Sequence, residues 1–194
     1  MIARLLATRS VTRPADQAPA PAARPPADEA PAAHVRRLMI LAELLETPVQ
    51  AAERVAKLAH ETLDAQAVAV LVPDEGKWAL CVGIGTRPQE DRLRLQGDHW
   101  LVRESLRRRH VIVIEDTDIA RARLNGSPLA HWKYLLAMPL LGAESLVIAA
   151  RARGPFDVSR IGTFSDRIGD LDQPLKDALD TRDLARQLQS IYDR

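Results

Sequence analysis

Residues 67–85 read AVAVLVPDEGKWALCVGIG, and the rest of the chain falls into place around this stretch. Ala67 to Val72 is wholly apolar and rich in valine, which predicts a strand buried on both sides. Pro73-Asp74-Glu75-Gly76 marks a turn, because proline fixes φ and glycine supplies a positive φ. Trp78 to Ile84 returns as the second arm of a hairpin, and Gly85-Thr86-Arg87-Pro88 ends it.

Upstream the pattern is helical. Leu38, Leu41, Ala42 and Leu45 form a stripe at helical spacing, which predicts a helix over His34–Glu46. Val35, Met39, Ile40 and Leu44 widen that stripe beyond a single core contact. The excess apolar surface points to a partner helix. Thr47-Pro48-Val49-Gln50 restarts the helix. Thr47 can cap it, Pro48 suits its first position, and Gln50 completes a capping box. Ala52, Val55, Ala56, Ala59 and Leu63 continue the buried face.

Downstream, Arg92 to Leu95 reads as a short strand. Asp98 can cap a helix running to Arg109. His110 to Glu115 holds Val111-Ile112-Val113-Ile114, a third strand core. Asp116 to Trp132 is irregular and contains the breaker cluster Asn125-Gly126-Ser127-Pro128. Tyr134–Leu141 and Leu146–Arg153 pair as a hairpin across Gly142-Ala143-Glu144-Ser145. Helical sequence follows to the end. Gly162, Gly169 and Pro174 predict a kink there, or two helices with Asp172 capping the second. The fold class expected is α/β (α+β), and no internal repeat is visible.

Composition excludes several functions. The 27 basic residues nearly cancel the 26 acidic ones, so no global field draws the chain to nucleic acid or an anionic membrane. Cys81 is the single cysteine, which rules out an internal disulfide or a multi-cysteine metal site. No run approaches the roughly 18 apolar residues of a membrane span, and a cytoplasmic location is expected. From Pro14 to Ala33 the chain is mostly Ala and Pro. Residues 1–33 are expected to form a disordered or polyproline-like tail, leaving 34–194 as one domain. Met1 to Arg13 carries Arg4, Arg9 and Arg13 and no acid, which suits a targeting segment, a docking helix or a merely solvated start.

Several short words resemble the GAF family. Asp64-Ala65-Gln66-Ala67-Val68-Ala69-Val70-Leu71 is similar to the lead-in to that family's first strand, and Val82-Gly83-Ile84-Gly85 to the end of its second. Val111-Ile112-Val113-Ile114-Glu115-Asp116-Thr117 resembles its third strand word with the following acid. Leu135-Leu136-Ala137-Met138-Pro139-Leu140 resembles its hairpin strand, and Gly154-Pro155-Phe156-Asp157 the approach to its closing helix. The resemblance implies a central antiparallel sheet of five to six strands with N- and C-terminal helices packed on one face. It also implies dimerisation through those helices and a small-molecule cleft on the sheet's other side. The chain departs from the family where Asp98-His99-Trp100, Arg103 and Arg108-Arg109-His110 replace usual glycines. Glycine there permits close backbone approach to a ligand.

Candidate sites follow. His99, Trp100, Asp116, His131, Trp132 and Tyr134 fall where such a cleft forms. They either surround an unknown small molecule or, through Trp100, Trp132 and Tyr134, fill the cleft so that the fold only presents surfaces. Leu38, Met39, Leu41, Leu45, Leu175, Leu188 and Tyr192 are the candidate dimer surface. The expected role is a non-catalytic regulatory homodimer that relays a signal or docks a partner protein carrying the output. The alternative is a small-molecule sensor with an open cleft near Trp100 and His131. A nucleic-acid role rests only on Arg103, Arg107, Arg108 and Arg109, which Glu104 dilutes. No cofactor and no metal is expected, and no nucleophile–base pair or paired-carboxylate motif appears. Cys81 lies mid-strand, where a thiol behaves as a small hydrophobe.

Overall fold

In a computed structural model, residues 46–115 and 127–192 are described, with Ala122 and Leu124 between them. The expected tail 1–33, the stripe Leu38, Met39, Leu41 and Leu45, the side chain of Tyr192, and Asp116 lie outside the described residues.

The first element is α1 (Pro48–Leu63). It starts where Thr47 predicts. The Thr47 side chain accepts from the Gln50 backbone N–H, and Gln50 reaches back to the Thr47 N–H. This reciprocal box satisfies two amides that a helix start otherwise leaves open. Ala51, Ala52, Val55, Ala56, Ala59 and Leu63 form its buried face. The small residues let it lie close to the sheet.

Six antiparallel strands follow: β1 (Ala67–Asp74), β2 (Lys77–Ile84), β3 (Arg94–Gln96), β4 (Ile112–Ile114), β5 (Tyr134–Leu140) and β6 (Ser145–Arg151). Their spatial order is β3-β2-β1-β6-β5-β4. The hairpin quoted first is therefore β1–β2, and β1 pairs on its other side with β6. All six residues from Ala67 to Val72 are buried, as the unbroken apolar run predicts. The turn is tighter than expected. Pro73 stays in β1 opposite Trp78, and only Glu75 and Gly76 turn, both at positive φ. That backbone twist matches the strands it joins. Pro73 has no N–H to give, but its partner strand β6 has already ended at Leu71.

A strand buried on both faces needs cover on both. On one face α1 and α3 (Val158–Tyr192) pack against Val68, Val70, Leu136, Met138, Val147 and Ala149, with Phe164 and Leu175 fully enclosed. On the other, the cover is mostly irregular chain. It comprises α2 (Trp100–Val102), the π-helical turn Arg103–Arg107 that continues it, and a 3-10 turn at Pro128–His131. These close over Ala67, Ala69, Leu71, Ala137, Ile148 and Ala150.

Three expectations are corrected. His99 rather than Asp98 caps α2: its Nδ1 accepts from the Leu101 N–H at 3.3 Å. That bond needs a neutral ring, and burial, opposed by the nearby Asp98 charge, holds the His99 pKa below its usual value. Next, α3 is one continuous helix of 35 residues that passes through Pro174. Asp172 does not cap a second helix. Its carboxylate crosses to the β5–β6 turn and accepts from the N–H groups of Gly142 and Ala143 at 2.7 and 2.9 Å. Finally, Leu175 is fully buried against the sheet, so it belongs to the core and offers nothing to a dimer. Its place in the stripe with Leu171 and Ala178 reflects packing within the chain.

Two predictions follow from these contacts. Replacing Asp172 with Ala leaves two turn amides with only water, which should cost about 1.5–3 kcal/mol in urea denaturation, the range for hydrogen bonds to a charged group. D172A matching wild type would show that the bridge carries no stability. Gly85 has φ +64°, and a Cβ on it would lie 2.1 Å from the Gln66 carbonyl oxygen. That carbonyl belongs to backbone pinned by the Gln66 N–H bond to Ala150 O. G85A should therefore lower stability by at least about 2 kcal/mol, combining left-handed strain with an overpacking clash. A drop of a few tenths would refute the rigid contact.

Candidate functional site

The irregular face of the sheet has a floor of small residues. Ala67 and Ala69 of β1 and Ala150 of β6 lie beneath the chain segment that carries Trp132. Alanines in a sheet leave room for something large above them. Here that room is occupied by the Trp132 indole, which is 8% exposed. Leu93, Leu129 and Ile148 close its sides, and the void that remains amounts to about 10 Å³. That is too little space for any small molecule.

The indole is held by chemistry as well as by shape. Its Nε1–H donates to Glu90 Oε1 at 2.6 Å. Glu90 is 2% exposed. Its other oxygen accepts from the Arg87 N–H at 2.9 Å. The His131 Nε2 lies 3.2 Å from Oε1, and the His131 Nδ1 lies 2.6 Å from the Pro128 carbonyl. The Arg87 guanidinium stands 5.2 Å from the centre of the indole ring, within cation–π range. A buried carboxylate is tolerated only when its oxygens find donors. Glu90 finds two here, the Arg87 N–H and the Trp132 Nε1–H, and they come from both ends of the irregular layer. The local turn fixes its place: the Glu90 N–H donates to Arg87 O, and the Leu93 N–H donates to Glu90 O.

Five of the six residues assigned to one cleft are described, and they separate into distinct places. His131 and Trp132 share the Glu90 knot. His99 and Trp100 belong to the start of α2. There Trp100 lines an open groove of about 810 Å³ with Arg103, Arg108, His110 and the edge strand β4. Val111 and Val113 are exposed along that edge. Tyr134 is on the opposite face, packed toward the α1–α3 layer. The reason is strand alternation: Leu135 faces the irregular layer, so its neighbour Tyr134 cannot. Trp132 thus fills the interior, and Tyr134 takes no part. The residues missed are Glu90 and Arg87. An isolated Glu in a polar loop carries no periodic signal of burial. The one hint was the three-residue spacing of Arg87 and Glu90, which suits a single closed turn.

The arginines of the α2 turn are partly neutralised. Glu104 pairs with Arg108 at 2.9 Å and with Arg103 at 3.5 Å. Cys81 is half-buried on the helix-covered face. Burial pushes its thiol pKa up, opposed by the positive charge of Arg182, so little of it is thiolate at neutral pH. Among the described residues, no three His, Cys, Asp or Glu side chains converge to hold a metal.

No family model matches the sequence, and no curated protein matches it. Solved structures do match. The GAF domain/HD domain protein from Geobacter sulfurreducens is 18% identical, with 68% of this chain and 94% of that one covered at a TM-score of 0.57. The GAF domain of an Acinetobacter phosphoenolpyruvate-protein phosphotransferase is 11% identical, covering 78% and 96% at 0.57. The GAF-B domain of DevS from Mycobacterium smegmatis is 14% identical, covering 71% and 98% at 0.55. At such identities the likeness speaks for architecture, and the architecture is that of a divergent GAF-like domain.

Proposed function

We propose that the chain is a non-catalytic regulatory module that works as a homodimer in the cytoplasm and passes a signal to, or docks, a partner protein. The observation that carries this reading is the far end of α3. Thirty-five helical residues span about 52 Å, more than twice the length of a strand in this sheet. Phe164, Ile168, Leu175, Ala178 and Leu179 are buried on the core. Arg182 then donates to Pro73 O at 2.9 Å, and Arg186 pairs with Asp74 at 3.0 Å. These two contacts tie α3 to the end of the β1–β2 hairpin. Between them Leu184 is 51% exposed, and past them the helix continues with Ile191 69% exposed. Leu184, Leu188 and Ile191 have the i, i+4, i+7 spacing of a single helical stripe. A stripe that leaves Leu184 and Ile191 exposed and Leu188 half-buried suits a helix–helix contact between two copies.

This reading replaces Leu175 with Leu184 and Ile191 while keeping Leu188. The segment with Leu38, Met39, Leu41 and Leu45 leads directly into Glu46 and α1, which lies beside α3. Its helical spacing of apolar residues is why we include it in the proposed dimer surface. Among the described residues no helix is long and apolar enough to cross a membrane. The sensor alternative draws its support from the groove beside Trp100, since the interior near His131 is filled.

Sedimentation equilibrium of the full chain at micromolar concentration is expected to give a dimer. L184E/I191E should give a monomer that still unfolds cooperatively and whose melting point, unlike that of the dimer, does not change with protein concentration, because each exposed substitution by itself changes stability by roughly 0.5 kcal/mol or less. A wild-type monomer, or a variant that remains dimeric, would sink the proposal.

A further inference from the structure

The sheet has two edges, β3 and β4, and the chain treats them differently. On β3 the exposed residues are Arg94 and Gln96, with Leu95 buried between them. Charged and polar side chains of that kind blunt an edge. On β4 the exposed residues are Val111 and Val113, at 41% and 46%. Among the described residues β4 pairs with β5 alone, through Ile112, Val113 and Ile114, and its outer side takes no strand. An open edge with apolar side chains is a template for another chain. Alternation divides this edge into two rows. Ile112 and Ile114 pack toward the irregular layer, so Val111 and Val113 point to the other side. Along the edge runs the open groove lined by Trp100, Arg103, Glu104, Arg108, His110 and β4. Small molecules bind where most of their surface is enclosed, and an open groove suits a chain laid along it.

We propose that the outer side of β4 accepts an extended acidic peptide of a partner protein, added to the sheet as a further antiparallel or parallel strand. The inference rests on the partner-docking part of the regulatory reading above and names the surface that does it. Charge sets the class of occupant. Residues 100–115 hold four arginines, Arg103, Arg107, Arg108 and Arg109, against two glutamates, Glu104 and Glu115. All four arginines are exposed. Glu104 is already engaged by Arg108 at 2.9 Å and by Arg103 at 3.5 Å, so a positive excess remains beside the edge. Carboxylates on an incoming strand complement it. A second copy does not. Pairing β4 with β4 would bring two arginine clusters to one seam about 10 Å long, which is within one Debye length at ordinary salt.

The two rows of β4 also set the pattern of the peptide. Side chains of the added strand that fall beside Ile112 lie on the side of the Arg103–Arg107 turn and are acidic. Those that fall beside Val111 and Val113 are apolar. A slip of one residue exchanges the rows and loses both matches. In this mode main-chain hydrogen bonds supply the affinity and the alternating side chains supply the selection. Removing the peptide's N–H groups therefore abolishes binding even where every side chain is kept.

The test titrates the full chain into a short fluorescent peptide in which glutamate and valine alternate, read by anisotropy at low ionic strength. A saturable rise is expected, together with slowed amide exchange within residues 111–114. The same peptide N-methylated at alternate residues, and one alternating lysine with valine, should give no rise. R103E/R108E should bind the glutamate peptide at least about fivefold more weakly, since two exposed attractions become repulsions. No saturable rise with wild type would overturn the proposal. Equal binding of the N-methylated peptide would reduce the edge to a charged patch and remove strand addition. Equal binding by R103E/R108E would remove the acidic class. If R103E/R108E does not fold, the N-methylated peptide decides alone. A dimer that survives L184E/I191E but dissociates in V111E/V113E would put a second copy on the edge and overturn the proposal as well. Sedimentation and anisotropy otherwise read separate surfaces. A wild-type monomer that binds the peptide removes the dimer and keeps the docking edge, and a dimer that does not bind it removes the edge and keeps the dimer.

Discussion

A carboxylate sealed under a loop must have its hydrogen bonds supplied on the spot, and Glu90 organises one whole face of this domain by that requirement. The helical face needs no such device. There α1 and α3 satisfy their own backbones and contribute regular apolar stripes. The opposite face is covered by short turns whose amides have few internal partners. Glu90 joins two of them, taking the Arg87 N–H from one and the Trp132 Nε1–H from the other. Without that carboxylate the indole N–H would be buried unpaired, and the Pro128–Trp132 segment would lose the bond that ties it to the Arg87–Glu90 turn. A buried ion is weak as a source of stability and effective as a source of register. Glu90 selects where the segment lies.

The legibility of the chain follows the same division. Where periodic structure covers the sheet, the sequence is explicit. The apolar run Ala67–Val72 announces a doubly buried strand, Thr47 and Gln50 announce the start of α1, and all six strands lie close to where their patterns place them. Errors arise where a long-range contact overrides a local signal. Asp172 beside Pro174 reads as a cap, yet its carboxylate bonds to Gly142 and Ala143, about thirty residues away. Leu175 reads as a surface stripe because helical spacing does not say which side of a helix is outward. The Glu90 knot is the extreme case. Its partners sit forty-two residues apart at Glu90 and Trp132, in segments with no period at all. The two histidine–tryptophan pairs were noticeable in the sequence, but only the folded chain separates them into a cap beside a groove and a plug within a core.

The two faces are not isolated from each other. Strand β5 begins at Tyr134, two residues after Trp132, and ends at Leu140 before the turn that Asp172 of α3 holds. Trp78, on the opening hairpin, donates to Glu144 O in that same turn. The hairpin end is in turn tied to α3 through Arg182 and Arg186. A continuous set of bonded elements therefore joins the plug to the helix that overhangs the domain.

A continuous route transmits only if something along it has two positions, since packed cores shift between discrete arrangements rather than bending gradually. The central strands cannot supply that freedom, because β1 and β6 are paired on both sides and buried on both faces. Nor can α3 near Leu175, which is enclosed. Side-chain bonds rather than strand pairing hold the two ends of the route: the Trp132 turn through Glu90, and α3 at the hairpin end through Arg182 and Arg186. Along that route the contact nearest to α3 is the Asp172 carboxylate on the Gly142 and Ala143 N–H groups, so whether the two faces are coupled turns on whether that bridge keeps one geometry when the Glu90 bonds are broken.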